Sequence, residues 1–531
     1  MVAYPAPSLL KKGDLMQGPS RWFASRWLSL AILSSALFMI VVDVTVLYLA
    51  LPNLAHDLQA SAAEKLWIMN AYTLTMAGLL PSSGVLGDRF GYKRMFTWGL
   101  VVFGIASLFA AFAPTAMMLI LARVLLAVGA AMMMPATLAL LRVIFTDAGE
   151  QAVAIGIWAA IASGGAALGP ILGGFLLEHF WWGAVFLINL PIVLIALVAT
   201  WIWIPAVAGD RARRLDLWAA VQIMVALVGI TFAIKEFTKL EADVPVAVAA
   251  LVVGVLAGAA FLRRQRSSAV PMLDLSIFGN RLFSAGLIAS IVVSAALLGM
   301  EYAISQRLQL VVGLSPLQAG LAIVPLPLAA FVFGPLAGFA TARWGAGPVL
   351  WMSLALCALG LGAYGVGFDG PVWVPMTALA IFGAGIGAVL TAASSAMLLN
   401  APLEKAGMVA SVEEVSYELG GSLGVALLGS LLTALYSRSL LGALQEGGVE
   451  TLSQRAGDSI DGALIEAEHM PAAEAQALKD LVFTAFDSGF VVVTGVAIGI
   501  LVVAFCIVFV MTHVLDRARD KGQRLIDKAA S

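Results

Sequence analysis

Apolar runs of about 20 residues recur along almost the whole chain, and each is long enough to cross a hydrocarbon core of about 30 Å as a helix. Fourteen are found, at 27–52, 66–86, 95–113, 116–140, 152–177, 183–204, 216–235, 244–262, 283–306, 317–341, 348–366, 373–398, 407–435 and 482–511. Inside lipid the backbone must satisfy its own polar groups, and runs of this length do so as helices. Composition agrees: 61% of the 531 residues are hydrophobic and 12% charged, with a mean hydropathy of +0.98. The chain reads as an all-α integral membrane protein.

Orientation follows from the basic residues. Lys11, Lys12, Arg21 and Arg26 precede a first span too long for a signal-peptide core and without a small-residue cleavage pattern, so that helix is expected to stay in place. With the N-terminus in the cytoplasm, most of the 30 Lys and Arg fall on the cytoplasmic side, as the positive-inside bias requires. Fourteen crossings then return the C-terminus to the same side. The clusters at 211–214, 263–266 and from Arg517 to Lys528 abut helices and act as orientation signals, and a net charge of −2 gives no reason to expect nucleic acid. Cys357 and Cys506 lie in separate apolar spans and the four histidines show no ligand spacing, so no disulfide, metal or other cofactor is expected.

The chain also repeats itself. "GVLGDRFG" at 84–91 returns as "GFATARWG" at 338–345, "VGAAMMMPATLAL" at 128–140 aligns with "IGAVLTAASSAML" at 386–398, and "SGGAALG" at 163–169 falls over "LGGSLGV" at 419–425. The offsets are 254, 258 and 256. Each pair lies on spans of one direction, so the repeat is parallel, an arrangement transporters use with the binding site where the halves meet. The expected organisation is a tail at 1–26, a six-helix bundle at 27–204, two inserted helices with their flanking loops at 205–276, a second six-helix bundle at 277–511 that includes an outer loop at 437–480, and a tail at 512–531.

At "GVLGDRFGYKR" (84–94) the sequence resembles the signature loop of the major facilitator superfamily, with Gly84, Asp88, Arg89, Gly91, Lys93 and Arg94 in place. Arg123 in "LARVLLAVGAA" is similar to that superfamily's helix-4 arginine motif, and "GAALGPILGG" (165–174) to the helix-5 motif of its drug-exporting antiporters. With fourteen spans, the chain resembles the drug:H⁺ antiporter branch, and within it the quaternary-ammonium and methyl-viologen efflux pumps. The resemblance implies a major facilitator fold of 6 + 2 + 6 helices, alternating access and a proton-coupling role for Arg123. It further implies lipophilic cations and protons as partners, a monomer in the bacterial inner membrane, and no cofactor beyond the proton gradient. Two residues depart from the pattern. Asn70 stands where some of these pumps carry an acid, which bears on divalent cations, and Ala342 replaces the loop acid in the second copy, which is expected to lack the charge pairing of the first.

The embedded charges point to chemistry. A charged side chain near mid-helix costs about 2.5–3.5 kcal/mol on insertion scales and faces a cavity or a partner. Asp43 and Glu301 sit 258 residues apart, so the repeat makes them counterparts expected to face one cavity. In the thirteenth span Glu414 and Glu418 share a face with Gly421, while Glu413 points about 100° away with Tyr417, Gly420 and Gly424. Burial disfavours the charged form of a carboxylic acid, so a proton and a lipophilic cation compete for such a group, and that competition is an exchange mechanism. Trp67, Tyr72, Tyr302, Tyr417 and the run Met132 to Met134 can hold a flat cation by cation–π and thioether contacts. Gly165, Gly169 and Gly173 present a smooth stripe and Pro170 a bend, expected to form a rocking surface or a static helix contact. Asp88 and its basic neighbours are expected to latch the halves on the cytoplasmic side.

Two other classes remain. A membrane enzyme would need a catalytic cluster, and the chain has no HExxH, no P-loop lysine motif and no Cys/His cluster. A non-transporting sensor on the same fold, or an exporter of an endogenous metabolite, differs only in residues whose positions a sequence does not fix.

Overall fold

The computed structural model describes residues 19–60, 62–206, 209, 216–237, 243–268, 271, 273–402, 405–447 and 460–514. They form helices joined by short connections. The N-terminal half comprises α1 (Pro19–Asp57), α2 (Ala62–Phe90), α3 (Tyr92–Ala111), α4 (Ala116–Ile144), α5 (Ala148–His179), the one-turn α6 (Ala184–Leu187) and α7 (Asn189–Trp203). Two helices follow, α8 (Leu217–Phe237) and α9 (Val244–Ser267). The C-terminal half comprises α10 (Arg281–Gln306), α11 (Pro316–Ile323), α12 (Pro325–Trp344), α13 (Ala346–Gly367), α14 (Trp373–Leu399), α15 (Ala406–Gly447), α16 (Ile460–Glu468) and α17 (Ala472–Phe509).

Twelve of the described helical stretches are long and apolar enough to cross a membrane. Of the others, α2 has 29 residues and α8 has 21, or about 44 and 32 Å at 1.5 Å per residue. Several helix starts are set by polar caps. Thr115 accepts the Met118 amide, Asp147 the Glu150 amide, and Ser315 forms a capping box with Gln318. The expected span at 317–341 is interrupted between α11 and α12, where Pro325 withholds a backbone donor. The segment 437–480, expected as an outer loop partly helical in pattern, is largely helical where it is described. Its start continues α15 to Gly447, α16 occupies Ile460–Glu468, and α17 begins at Ala472; residues 448–459 lie outside the described residues.

The halves meet along two seams, α2 against α15 and α5 against α12. The inserted α8 packs on α2 and α15, so it lies across the first seam, with α9 behind it. Gly91 and Gly345, matched by the repeat, open α3 and α13 at positive φ (94° and 83°). Both are turns that glycine makes without a steric penalty.

Candidate functional site

In the N-terminal half the two embedded charges of opposite sign find each other. Arg123 of α4 donates from Nη1 to Asp43 Oδ2 of α1 at 2.7 Å. Asn189, at the start of α7, donates to Asp43 Oδ1 at 2.9 Å and lies 3.2 Å from the Ser107 hydroxyl. The guanidinium sits 4.3 Å from the centroid of Tyr72, and its Nε reaches the Ile68 carbonyl at 3.4 Å. Asp43, Arg123 and Tyr72 are each at most 2% exposed. The expectation that Asp43 faces an open cavity opposite Glu301 is therefore corrected: its carboxylate is enclosed by Arg123 and Asn189. Tyr72 is likewise covered, a shelf for the guanidinium rather than an open aromatic wall. Breaking a buried, hydrogen-bonded pair of this kind costs about 3–5 kcal/mol, because it strands the remaining charge.

The C-terminal half arranges its acids differently. Glu301 of α10 is exposed and has no hydrogen-bond partner among the described residues. It lies within electrostatic range of Tyr417 on α15, as do Glu414 and Glu418. Glu418 is also within range of Tyr72 in the other half. Three acids thus lie within electrostatic range of one phenol, and one of them, Glu418, also within range of the tyrosine that stacks on Arg123. Glu413 faces α14: it is buried, accepts the Ser394 hydroxyl, and leaves Oε2 without a hydrogen-bond partner among the described residues, while remaining within electrostatic range of Glu414. Tyr417 follows Glu413 by four residues on α15 and is also within electrostatic range of Glu414 and Glu418. Gly420, Gly421 and Gly424 turn to α10, where added Cβ atoms would meet Ile291, Leu298 and Ala295.

The remaining cavity candidates separate. Trp67 is exposed and stacks on Phe232 of α8 with centroids 6.4 Å apart, so it belongs to the α2–α8 contact. Tyr302 is exposed and accepts Gln306 Nε2 at 2.8 Å. Met134 and Met132 are half-buried, whereas Met133 is buried against Gly99.

At the Gly91 end, Asp88 accepts the Tyr92 hydroxyl at 2.6 Å and the Gly407 amide of α15 at 3.2 Å. A carboxylate thus meets the N-terminus of a helix in the other half, where the dipole favours it. Gly84 makes this approach possible, since a Cβ there would stand 2.3 Å from the Gly407 oxygen. Lys93 instead caps α7, donating to the Ile204 and Trp201 carbonyls at 2.6 and 3.2 Å. Arg89 lies over Phe90 and Arg94 is exposed. The helix-5 stripe also resolves: Gly165 and Gly169 pack on Phe38, Val41 and Thr45 of α1, within one half. Among the α5 residues that meet the other half are Gly156, against Gly334, and Gly164, against Phe331. Gly173 is buried, and the Pro170 side chain lies outside the described residues.

Sequence reasoning missed Asn189, Tyr92 and Arg307. Arg307 is buried at the far end of α10, bidentate to Asp487 of α17 at 2.7 and 3.0 Å, bonded to Asp369, and 4.2 Å from the Phe368 ring centroid. An arginine in "AISQRLQL" and acids near span ends were the available signals, but nothing in their spacing pairs them.

Paired helical halves around embedded charges define a multi-pass membrane transporter. The chain belongs to the Major Facilitator Superfamily, whose model matches residues 33–425. It is 39% identical over 464 residues to the methyl viologen resistance protein SmvA of Salmonella typhimurium, covering 87% of this chain and 93% of that one. It is 38% identical over 479 residues to the multidrug efflux pump LfrA of Mycolicibacterium smegmatis, covering 90% and 94%. The tetracenomycin C resistance and export protein of Streptomyces glaucescens is 30% identical over 470 residues, with 87% of each chain covered. Among solved structures, the human organic anion transporter MFSD10 (TETRAN) shares the fold at a TM-score of 0.61 and 13% identity, over 93% of this chain and all of that one.

Proposed function

We propose that this chain exports lipophilic cations, such as quaternary ammonium biocides, dyes and viologens, across the bacterial cytoplasmic membrane in exchange for protons. It is a transporter, not an enzyme, and its energy comes from the ion gradient. In this reading it has fourteen spans, counting α2 and α8, with both termini and the Gly91 end in the cytoplasm. We call that end the inner face. The chain acts as a monomer, and the two halves rock about the seams to expose the site to each side in turn.

One observation carries the reading: Glu301 of α10 and Glu414 and Glu418 of α15 lie within electrostatic range of Tyr417 in one half, and Glu418 lies within range of Tyr72, which stacks on Arg123 of the buried Arg123–Asp43 pair in the other. Carboxylates embedded in a membrane span attract a cation or a proton, and either excludes the other. Asp43 works differently. Its protonation releases Arg123, and this changes the positive charge presented next to the acids. Exporting one monovalent cation opposes about 2.3 kcal/mol per 100 mV, so at least one proton must enter per cycle.

The test is proton-driven efflux of a cationic dye from cells or uptake into inverted vesicles, with Asp43→Asn, Glu301→Gln and Glu418→Gln made singly. Each is expected to lower efflux by about tenfold or more, equivalent to about 1.4 kcal/mol. The proposal fails if all three variants pump like the parent.

A further inference from the structure

The connection between α14 and α15, residues 400–405, belongs to the C-terminal half but is gripped by the N-terminal half at both its helix ends. On the α15 side, Asp88 holds the Gly407 amide. On the α14 side, Arg142 in the last turn of α4 donates from Nη2 to the Ala401 carbonyl and from Nη1 to the Pro402 carbonyl at 3.4 Å. The signs match the helix ends, with a carboxylate at an N-terminus and a guanidinium at a C-terminus. Two adjacent carbonyls also suit the fork of an arginine better than the point charge of a lysine. Arg142 lies at the C-terminus of its own helix as well, so one cation serves two helix ends drawn from opposite halves.

We propose that Arg142 is a second clamp on the inner face, acting with Asp88 to hold that face shut, and that it must let go before the face can open. The clamp is one-sided. The repeat offset of 258 brings position 142 onto Asn400, whose amide donates to Ala396 of its own helix at 2.8 Å. At the other seam the matched Ala342 carries no charge and lies beside Gly149, where an added Cβ would stand 3.4 Å from its own. The inner face is thus locked around one connection, and freeing that connection releases both contacts together.

The inference rests on the alternating-access reading and is tested apart from it. Spin labels at Thr146→Cys and Arg281→Cys, both exposed and on opposite halves near the Gly91 end, report the opening of that face in lipid. The background carries Cys357→Ala and Cys506→Ser. Arg142→Gln is expected to raise the open-to-closed ratio by about tenfold, the scale of one charge-assisted hydrogen bond, and Arg142→Lys to restore part of the closed population. In efflux, Arg142→Gln is expected to lower both the KM for dye and the turnover, because the inward-facing state accumulates; general damage would not lower KM. If Arg142→Gln does not assemble, the intermediate distances expected for Arg142→Lys decide. The clamp is overturned if the Arg142 variants keep the parent distances while Asp88→Asn widens them. A chain whose inner face responds to Arg142 as expected but moves no dye sinks the transport reading and leaves the clamp standing.

Discussion

Along the α2–α15 seam Gly84 and Gly407 meet backbone to backbone, and along the α5–α12 seam Gly156 and Gly334 do the same. The chemistry beside these contacts differs. Asp88 crosses the first seam to the Gly407 amide, whereas the matched position in the second seam is Ala342. The helix ends explain why. α5 brings its own cap, Asp147, whose carboxylate accepts the Glu150 amide at 2.8 Å, and the Glu150 side chain is paired with Arg26 at 2.6 Å. An acid at 342 would meet an N-terminus already supplied with two carboxylates. The repeat therefore keeps close backbone approach in both seams and leaves charge to one of them.

The strongest way to break this comparison is to spoil the shared geometry. A Cβ at Gly84 or Gly156 would stand 2.3 or 2.5 Å from a carbonyl oxygen across its seam, a distance that overpacked interfaces relieve only by moving backbone. Gly84→Val and Gly156→Val are both expected to hold the inner face open and to reduce dye efflux to background. Parent-like efflux from either would show that its seam does not need backbone contact.

Removing the charge should separate the seams. Asp88→Asn keeps an acceptor for Tyr92 and Gly407 but loses the interaction with the helix dipole, worth up to about 2 kcal/mol in partly buried geometry. The open population, read by the same spin labels, should grow by about tenfold. Ala342→Asp, the reciprocal change, should not add a lock; we expect a shift of less than about threefold, toward opening, from repulsion by Asp147 and Glu150. Tighter closure in Ala342→Asp would mean that α5 has a free N-terminus after all.

Much of this was legible in the sequence. The spans, the repeat and the Gly84–Arg94 loop depend on length, period and local turn geometry, all of which a chain carries in one dimension. The Asp43–Arg123 pair was not read, although each residue was recognised as an expensive embedded charge. The repeat assigned Asp43 to Glu301, but a repeat relates backbone positions and not environments. Opposite charges in one half were the better signal, and Asn189 was a further buried polar group in an apolar span. The helical wheel places Glu413 on a different face from Glu414 and Glu418, with Tyr417 on the Glu413 side. Which neighbours each side chain then meets is a tertiary matter, and Tyr417 is within electrostatic range of Glu414 and Glu418 as well. Arg142 escaped because the Ala401 and Pro402 groups it grips are backbone carbonyls, which no side-chain motif announces.

The smallest expected effect concerns pH. Asp274, in the connection before α10, accepts Lys405 and also the Ser276 amide at 2.9 Å. The Lys405 hydrogen bond, followed by those from Ser276, holds its carboxyl down at about 2 against an ordinary 3.8. A carboxyl depressed on folding contributes its full stabilisation above the unfolded value, and that contribution fades only as pH falls from about 4 through about 2. Between pH 5 and 8 the pair is therefore constant, although it lies beside the connection that Asp88 and Arg142 hold. Asp274→Asn should leave the pH response of the Thr146→Cys/Arg281→Cys distances unchanged over that range, even if the distances themselves shift slightly. A response between pH 5 and 8 then comes from groups other than this pair, and an Asp274→Asn variant whose distances no longer respond to pH would place the proton sensor at the inner face instead.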